Sequence, residues 1–204
     1  PFGTMREIEI GMGLARAPRV TYVGELGWVL YVSADQTAHV FEALEAADQG
    51  LVLCGLHALD SCRIEKGYRH FGHDITDEDH VLEAGLGFAV RTKKPEFIGR
   101  DAVLRKAEAG LERRMVQFRL RDPEPLVFHN EAIVRDGVIV GPITSGNYGH
   151  HLGGAIGLGY VPCKGQSEAE VLASRYEIEV AGVRHEAVAS LVPMYDPKSE
   201  RVRA

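Results

Sequence analysis

The feature that most restricts this chain is a change of texture at Gly110. Before it, helix-like and strand-like segments mix; after it, nearly every segment reads as strand. Val116, Phe118 and Leu120 alternate with period two. Ala132–Val134 and Val138–Val140 flank Asp136-Gly137, a favoured hairpin pair because both positions tolerate positive φ. Ala155–Val161 and Tyr176–Val180 continue the series, and Ala181-Gly182 turns the chain into Val183–Val188. About six short strands joined by glycine turns predict a small barrel or sandwich. The fold class expected is therefore α+β, with residues 1–110 and 111–204 as separate domains.

The first part is read from its caps and periods. Arg19–Tyr22 and Trp28–Val32 are expected strands, rich in β-branched and aromatic residues. Asp35 is placed to cap a helix whose apolar positions are Val40, Phe41, Leu44 and Ala47. A second helix is expected from about Gly55 to Glu65, with Gly67 where a C-terminal cap belongs. A third follows Gly99 and ends at Gly110.

Composition excludes several function classes. The net charge of −6 lacks the basic excess of a general nucleic-acid or acidic-membrane binder, so neither partner is expected. No apolar run approaches the roughly 18 residues of a membrane helix. Three cysteines, Cys54, Cys62 and Cys163, do not form a disulfide framework and suit the cytosol or the mitochondrial matrix. Residues 1–20 lack the continuous apolar core of a secretory leader. The chain opens on Pro1, which reads as a piece of a longer polypeptide.

Several clusters carry candidate chemistry. His70, His73 and His80, with Asp74, Asp77, Glu78 and Asp79 among them, and His150-His151 further on, have the residue types of a metal site. Their spacing lacks the i, i+4 pair of a helical site and no Cys-x-x-Cys supports them, so a polar loop is expected and no metal. Gly153–Gly159 is glycine-rich but runs into strand residues rather than a helix. It is read as close backbone approach in a barrel, not a phosphate cradle. Cys54, Cys62 and Ser145 have no base near them in sequence, and no catalytic residue is assigned. The segment Tyr22-Val23-Gly24-Glu25-Leu26-Gly27-Trp28 brings an aromatic ring and a carboxylate to a glycine turn. There the ring could stack on a flat heterocycle while Glu25 accepts from its N–H groups. The alternative is a hairpin with a core Tyr and a solvated Glu.

Taken together, TYVGELGW (Thr21–Trp28), GLHALDSCRIEKGYRHFGHDI (Gly55–Ile75), EAGLGFAV (Glu83–Val90), FIGRDAV (Phe97–Val103) and SGNYGHHLGGAIGLGYV (Ser145–Val161) are specific. On these motifs the chain resembles the C-terminal part of the folate-binding region of the dimethylglycine dehydrogenase and sarcosine dehydrogenase family. That region is similar to the aminomethyltransferase (T-protein) of glycine cleavage. The resemblance implies the second half of a ferredoxin-like folate-binding core followed by a small C-terminal β-barrel. It also implies a chemistry: a flavin (FAD) on an upstream domain, absent from this chain, oxidises an N-methyl amine, and tetrahydrofolate captures the one-carbon unit. It implies partners too: the folate itself, and an upstream flavin domain or a companion fragment.

By resemblance, Tyr22 packs on the folate, Phe88 stands where aminomethyltransferases place a Trp against the ligand, and Arg63 and Glu65 border the site. Arg63 could equally pair with a carboxylate and only support its helix. Two positions depart from the family. Val29 replaces the Glu that anchors the pteridine, and Leu59 stands where aminomethyltransferases carry Arg. The family's catalytic Asp lies upstream of Pro1. The leading expectation is a tetrahydrofolate-binding one-carbon-transfer portion, inactive in isolation. A non-catalytic regulatory or assembly module is the alternative, favoured by Val29, and a glycine cleavage aminomethyltransferase is the third.

Overall fold

A computed structural model describes all residues, 1–204. The chain divides into two compact units, residues 1–60 with 198–204, and residues 61–197. This division falls inside the helix Leu56–Glu65.

Unit 1 is built on an antiparallel hairpin of β1 (Met5–Ile10) and β2 (Gly13–Pro18), paired from Met5↔Pro18 to Ile10↔Gly13. The turn needs only two residues because Gly11 takes a φ of +60° at its first central position. β3 (Tyr31–Val32) adds to β2 through Ala15 and Arg16. Ala15 and Ala17 point inward and Leu14 and Arg16 outward, so small residues fill the buried face. α1 (Thr37–Ala47) inserts Val40 there and is tied to the hairpin by two side chains. His39 Nε2 accepts from the Met12 amide at 2.9 Å, and Gln36 Oε1 from the Leu14 amide at 3.1 Å.

Here three expectations need correction. Arg19–Tyr22 is not strand, and of Trp28–Val32 only Tyr31–Val32 pairs. Pro18 ends β2 because it has no amide to donate. The chain then bends, with Thr21 Oγ1 accepting from the Gly24 amide at 3.1 Å and Gly24 at φ +80°. Asp35 is also not the cap of α1: Gln36 holds that position without a side-chain cap bond.

α2 (Leu56–Glu65) closes with Gly67 at φ +66°. The Gly67 amide donates to Ile64 O and the Tyr68 amide to Arg63 O, the paired bonds of a Schellman cap, as the sequence suggests. α3 (Arg100–Ala109) lies between Gly99 and Gly110, also as expected.

The rest of unit 2 is a barrel of β4 (Arg113–Leu120), β5 (Ala132–Arg135), β6 (Val138–Gly149), β7 (Gly154–Pro162), β8 (Tyr176–Val180) and β9 (Val183–Ser190). The strands are antiparallel and close in the order β4-β7-β6-β5-β8-β9, so no edge is left open. Both expected tight turns form, with positive φ at Asp136-Gly137 and Ala181-Gly182. The interior holds Val116, Phe118, Leu120, Ile133, Ile143 and Ile178, each worth roughly 1.5–3 kcal/mol on burial. α4 (Glu168–Ala173), absent from the sequence reading, caps itself with a reciprocal Ser167–Glu170 box.

Candidate functional site

In unit 1 the candidate folate residues lie in the bend after β2. Tyr22 and Glu25 are half-buried on either side of buried Gly24. Val29 is 39% exposed, and its amide donates to Pro18 O at 3.2 Å. Trp28 is exposed, with the Arg19 guanidinium 5.3 Å from its ring centroid. A cavity of about 630 Å³ in this unit is lined by Arg6, Ile8, Ile10, Arg19, Trp28 and Leu44 among others. It does not reach Tyr22, Glu25 or Val29.

In unit 2 the two remaining candidates have opposite environments. Phe88 sits on a single 3-10 turn, Gly87–Ala89, and is 84% exposed. Arg63 is 2% exposed. Its Nη1 donates to Asp74 Oδ2 at 2.6 Å and to Tyr68 O at 3.2 Å, and its Nη2 to Ser145 Oγ at 2.9 Å. Asp74 also accepts from Thr144 Oγ1 at 2.5 Å and from the His70 amide at 2.8 Å. Arg63 thus joins α2, the histidine loop and β6 into one buried network.

The neighbours of Arg63 repeat this pattern. Glu65 accepts from the His151 and Leu152 amides at 2.7 and 3.0 Å and meets His151 Nδ1 at 2.8 Å. Lys66 is buried against Asp196 at 2.9 Å. At the barrel mouth, burial would raise the pKa of Glu83. Hydrogen bonds from Lys106, the Glu112 amide and Arg113 outweigh it and hold the carboxyl below its ordinary range. Sequence reasoning missed Asp74 and Ser145 as partners of Arg63, and Thr144 as a further donor to Asp74, because only the fold brings these positions together.

The histidines do not converge on a metal-ligand set: no group of three or more His, Cys, Asp or Glu side chains has that geometry. His70 and His73 rings meet edge-on at 4.6 Å, and His129 Nδ1 lies 2.8 Å from Thr144 O. The glycine-rich stretch lies in β7, where a Cβ on Gly159 would fall 2.8 Å from Pro142 O and 2.5 Å from Ile133 Cδ1. That is the close backbone approach expected of it.

Comparison with known proteins agrees with this architecture. Residues 1–94 match the GCVT N-terminal domain family, and residues 113–196 the glycine cleavage T-protein C-terminal barrel domain family. The chain is 44% identical over 201 residues to 4-methylaminobutanoate oxidase (formaldehyde-forming) of Paenarthrobacter nicotinovorans, covering 97% of this chain and 24% of that protein. It is 38% identical over 209 residues to human mitochondrial sarcosine dehydrogenase, covering all of this chain and 23% of that protein. Its fold matches the crystal structure of the glycine cleavage system aminomethyltransferase T from Bartonella henselae with a TM-score of 0.79 and 26% identity, over 90% of this chain and 50% of that one. The chain therefore spans about a quarter of the length of these two curated relatives.

Proposed function

Since the chain belongs to the glycine cleavage T-protein-like (GCVT) family, in the branch of the sarcosine and dimethylglycine dehydrogenases, we propose that it binds tetrahydrofolate as the one-carbon-acceptor portion of such an enzyme. The observation that carries this reading is Phe88, a ring 84% exposed at the family's ligand-wall position. A large ring held on a short turn and left uncovered is a platform for a flat partner. Tyr22, in unit 1, is half-buried rather than enclosed. Glu25 is the acceptor that Val29 is not.

The residues present fit the ring of a folate better than its polar edge. Tyr22, in unit 1, would hold the carrier by stacking, and Glu25 beside it would orient it; Phe88 is a platform of unit 2 in its own right. When bound, tetrahydrofolate supplies the nucleophilic nitrogens that take up a one-carbon unit. This chain supplies no catalytic side chain for that step. FAD would belong to an upstream domain, and the change of texture at Gly110 would be where folate core gives way to barrel. A reducing compartment, the cytosol or the mitochondrial matrix, suits the reading, and two families of relatives carry mitochondrial names.

Calorimetric titration with tetrahydrofolate tests the proposal. Val29→Glu restores an acceptor for the pteridine donors and should tighten binding roughly ten- to a hundred-fold, the value of about 1–3 kcal/mol. Silence from both the native chain and the variant, with the preceding half of the folate region supplied, would overturn it. A second reading, a non-catalytic assembly module, is favoured by Val29 alone. It requires stable association with a partner protein and no rise in melting temperature with folate.

A further inference from the structure

A second cavity lies wholly within unit 2, remote in chemistry from the folate residues. It measures about 420 Å³, within the usual range for small-molecule sites, and its polar lining includes His73, Asp79, Glu112, Arg113, Thr144 and Tyr160. Most of these groups are already committed. Asp74, also on its wall, is saturated by Arg63, Thr144 and the His70 amide. Asp79 accepts from Arg113 Nη2 at 2.7 Å and from Thr76.

Three groups are not committed. The Tyr160 hydroxyl is sequestered from solvent without a hydrogen-bond partner in the chain. Burial is the first reason its pKa is raised far above the ordinary phenol value, so it keeps its proton and can donate. An unpaired buried hydroxyl is costly, and a bound acceptor removes that cost. Arg113 lies 4.4 Å over the Tyr160 ring and spends Nε on Glu83 and Nη2 on Asp79, while Nη1 makes no bond. Glu112 is the remaining carboxylate, its side chain 68% exposed, with Lys164 no nearer than 4.0 Å.

We propose that this cleft binds a small zwitterionic amino acid, its carboxylate on Arg113 Nη1 and the Tyr160 hydroxyl and its ammonium on Glu112. A simple anion would leave Glu112 unanswered and lie among carboxylates. A simple cation would face the guanidinium and leave the hydroxyl unpaired. A zwitterion meets both ends, and Val140 and Pro142 offer an apolar rim for its side chain. The site is separate from the folate reading and stands or falls without it.

The test is an NMR titration of the whole 204-residue chain with alanine and glutamine, and with methylammonium and acetate as single-charge controls. The amino acids should give saturable shifts at the Gly141 and Tyr160 amides, and the controls none at equal concentration. Glu112→Gln, at an exposed position that does not threaten folding, and Tyr160→Phe should each weaken binding at least five-fold. Absence of saturable shifts, equal binding by the controls, or unchanged affinity in Glu112→Gln would each overturn the proposal. Because tetrahydrofolate is not used, this outcome is independent of the folate titration.

Discussion

At the scale of single residues, the same side chain type does different work according to burial. Arg63 was open to two readings from sequence, ligand-facing or helix-supporting. The structure gives it a buried carboxylate, a carbonyl and a serine hydroxyl. Removing one partner of such a pair strands a charge in a medium that solvates it poorly. Asp74→Ala should therefore cost about 3–5 kcal/mol in urea unfolding, and replacing both Arg63 and Asp74 by apolar residues should cost much less. A loss under about 1 kcal/mol for the single change would mean that the network contributes little. The partners were illegible in sequence, since Asp74 looked like one acid in a run of acids and histidines. Tyr22 was legible as a candidate from its glycine turn and Phe88 only through its motif, because local spacing alone does not separate a ligand platform from a core aromatic.

At the scale of elements, turns and caps were the most legible features. Asp136-Gly137, Ala181-Gly182 and the Gly67 cap all form, because positive φ is a local demand that glycine and its neighbours announce. Strands of low intrinsic preference were not. β2 reads Gly-Leu-Ala-Arg-Ala-Pro, poor strand formers that become strand with Ala15 and Ala17 on the buried face and Val40 of α1 close against Gly13. Conversely, Arg19–Tyr22 has good strand residues but follows a proline and bends. The glycines of β7 were read correctly because a run without a following helix has little use except close contact. Gly159→Ala, pressing on Ile133 and Pro142, should destabilise the barrel by about 1–3 kcal/mol. Gly55→Ala, with open space around it, should stay within about 0.5 kcal/mol. Equal melting temperatures for the two variants would contradict the tight approach.

At the scale of the whole molecule, the barrel is closed while the sheet of unit 1 is not. β1 lies at the edge of its sheet, with Met5 and Ile8 exposed, and β3 contributes only two residues to the other side. Leu51, Val52, Leu53 and Leu56 add a further exposed apolar run. An open edge beside apolar surface recruits another strand. Light scattering of the isolated chain should show self-association, or a stable complex once the preceding part of the folate region is added; a monodisperse monomer alone would count against this. The barrel was visible in the sequence because its strands are short, regular and separated by glycine turns. Unit 1 was less visible, since half of its order comes from contacts between weak strands and one helix.

The most direct measurement of the proposed folate binding watches the candidate rings themselves. With selectively labelled tyrosine and phenylalanine, tetrahydrofolate should shift the ring resonance of Tyr22 saturably, and that of Phe88 as a separate readout. Ring signals that stay fixed in the folded chain, with the preceding half of the folate region present, would contradict the account.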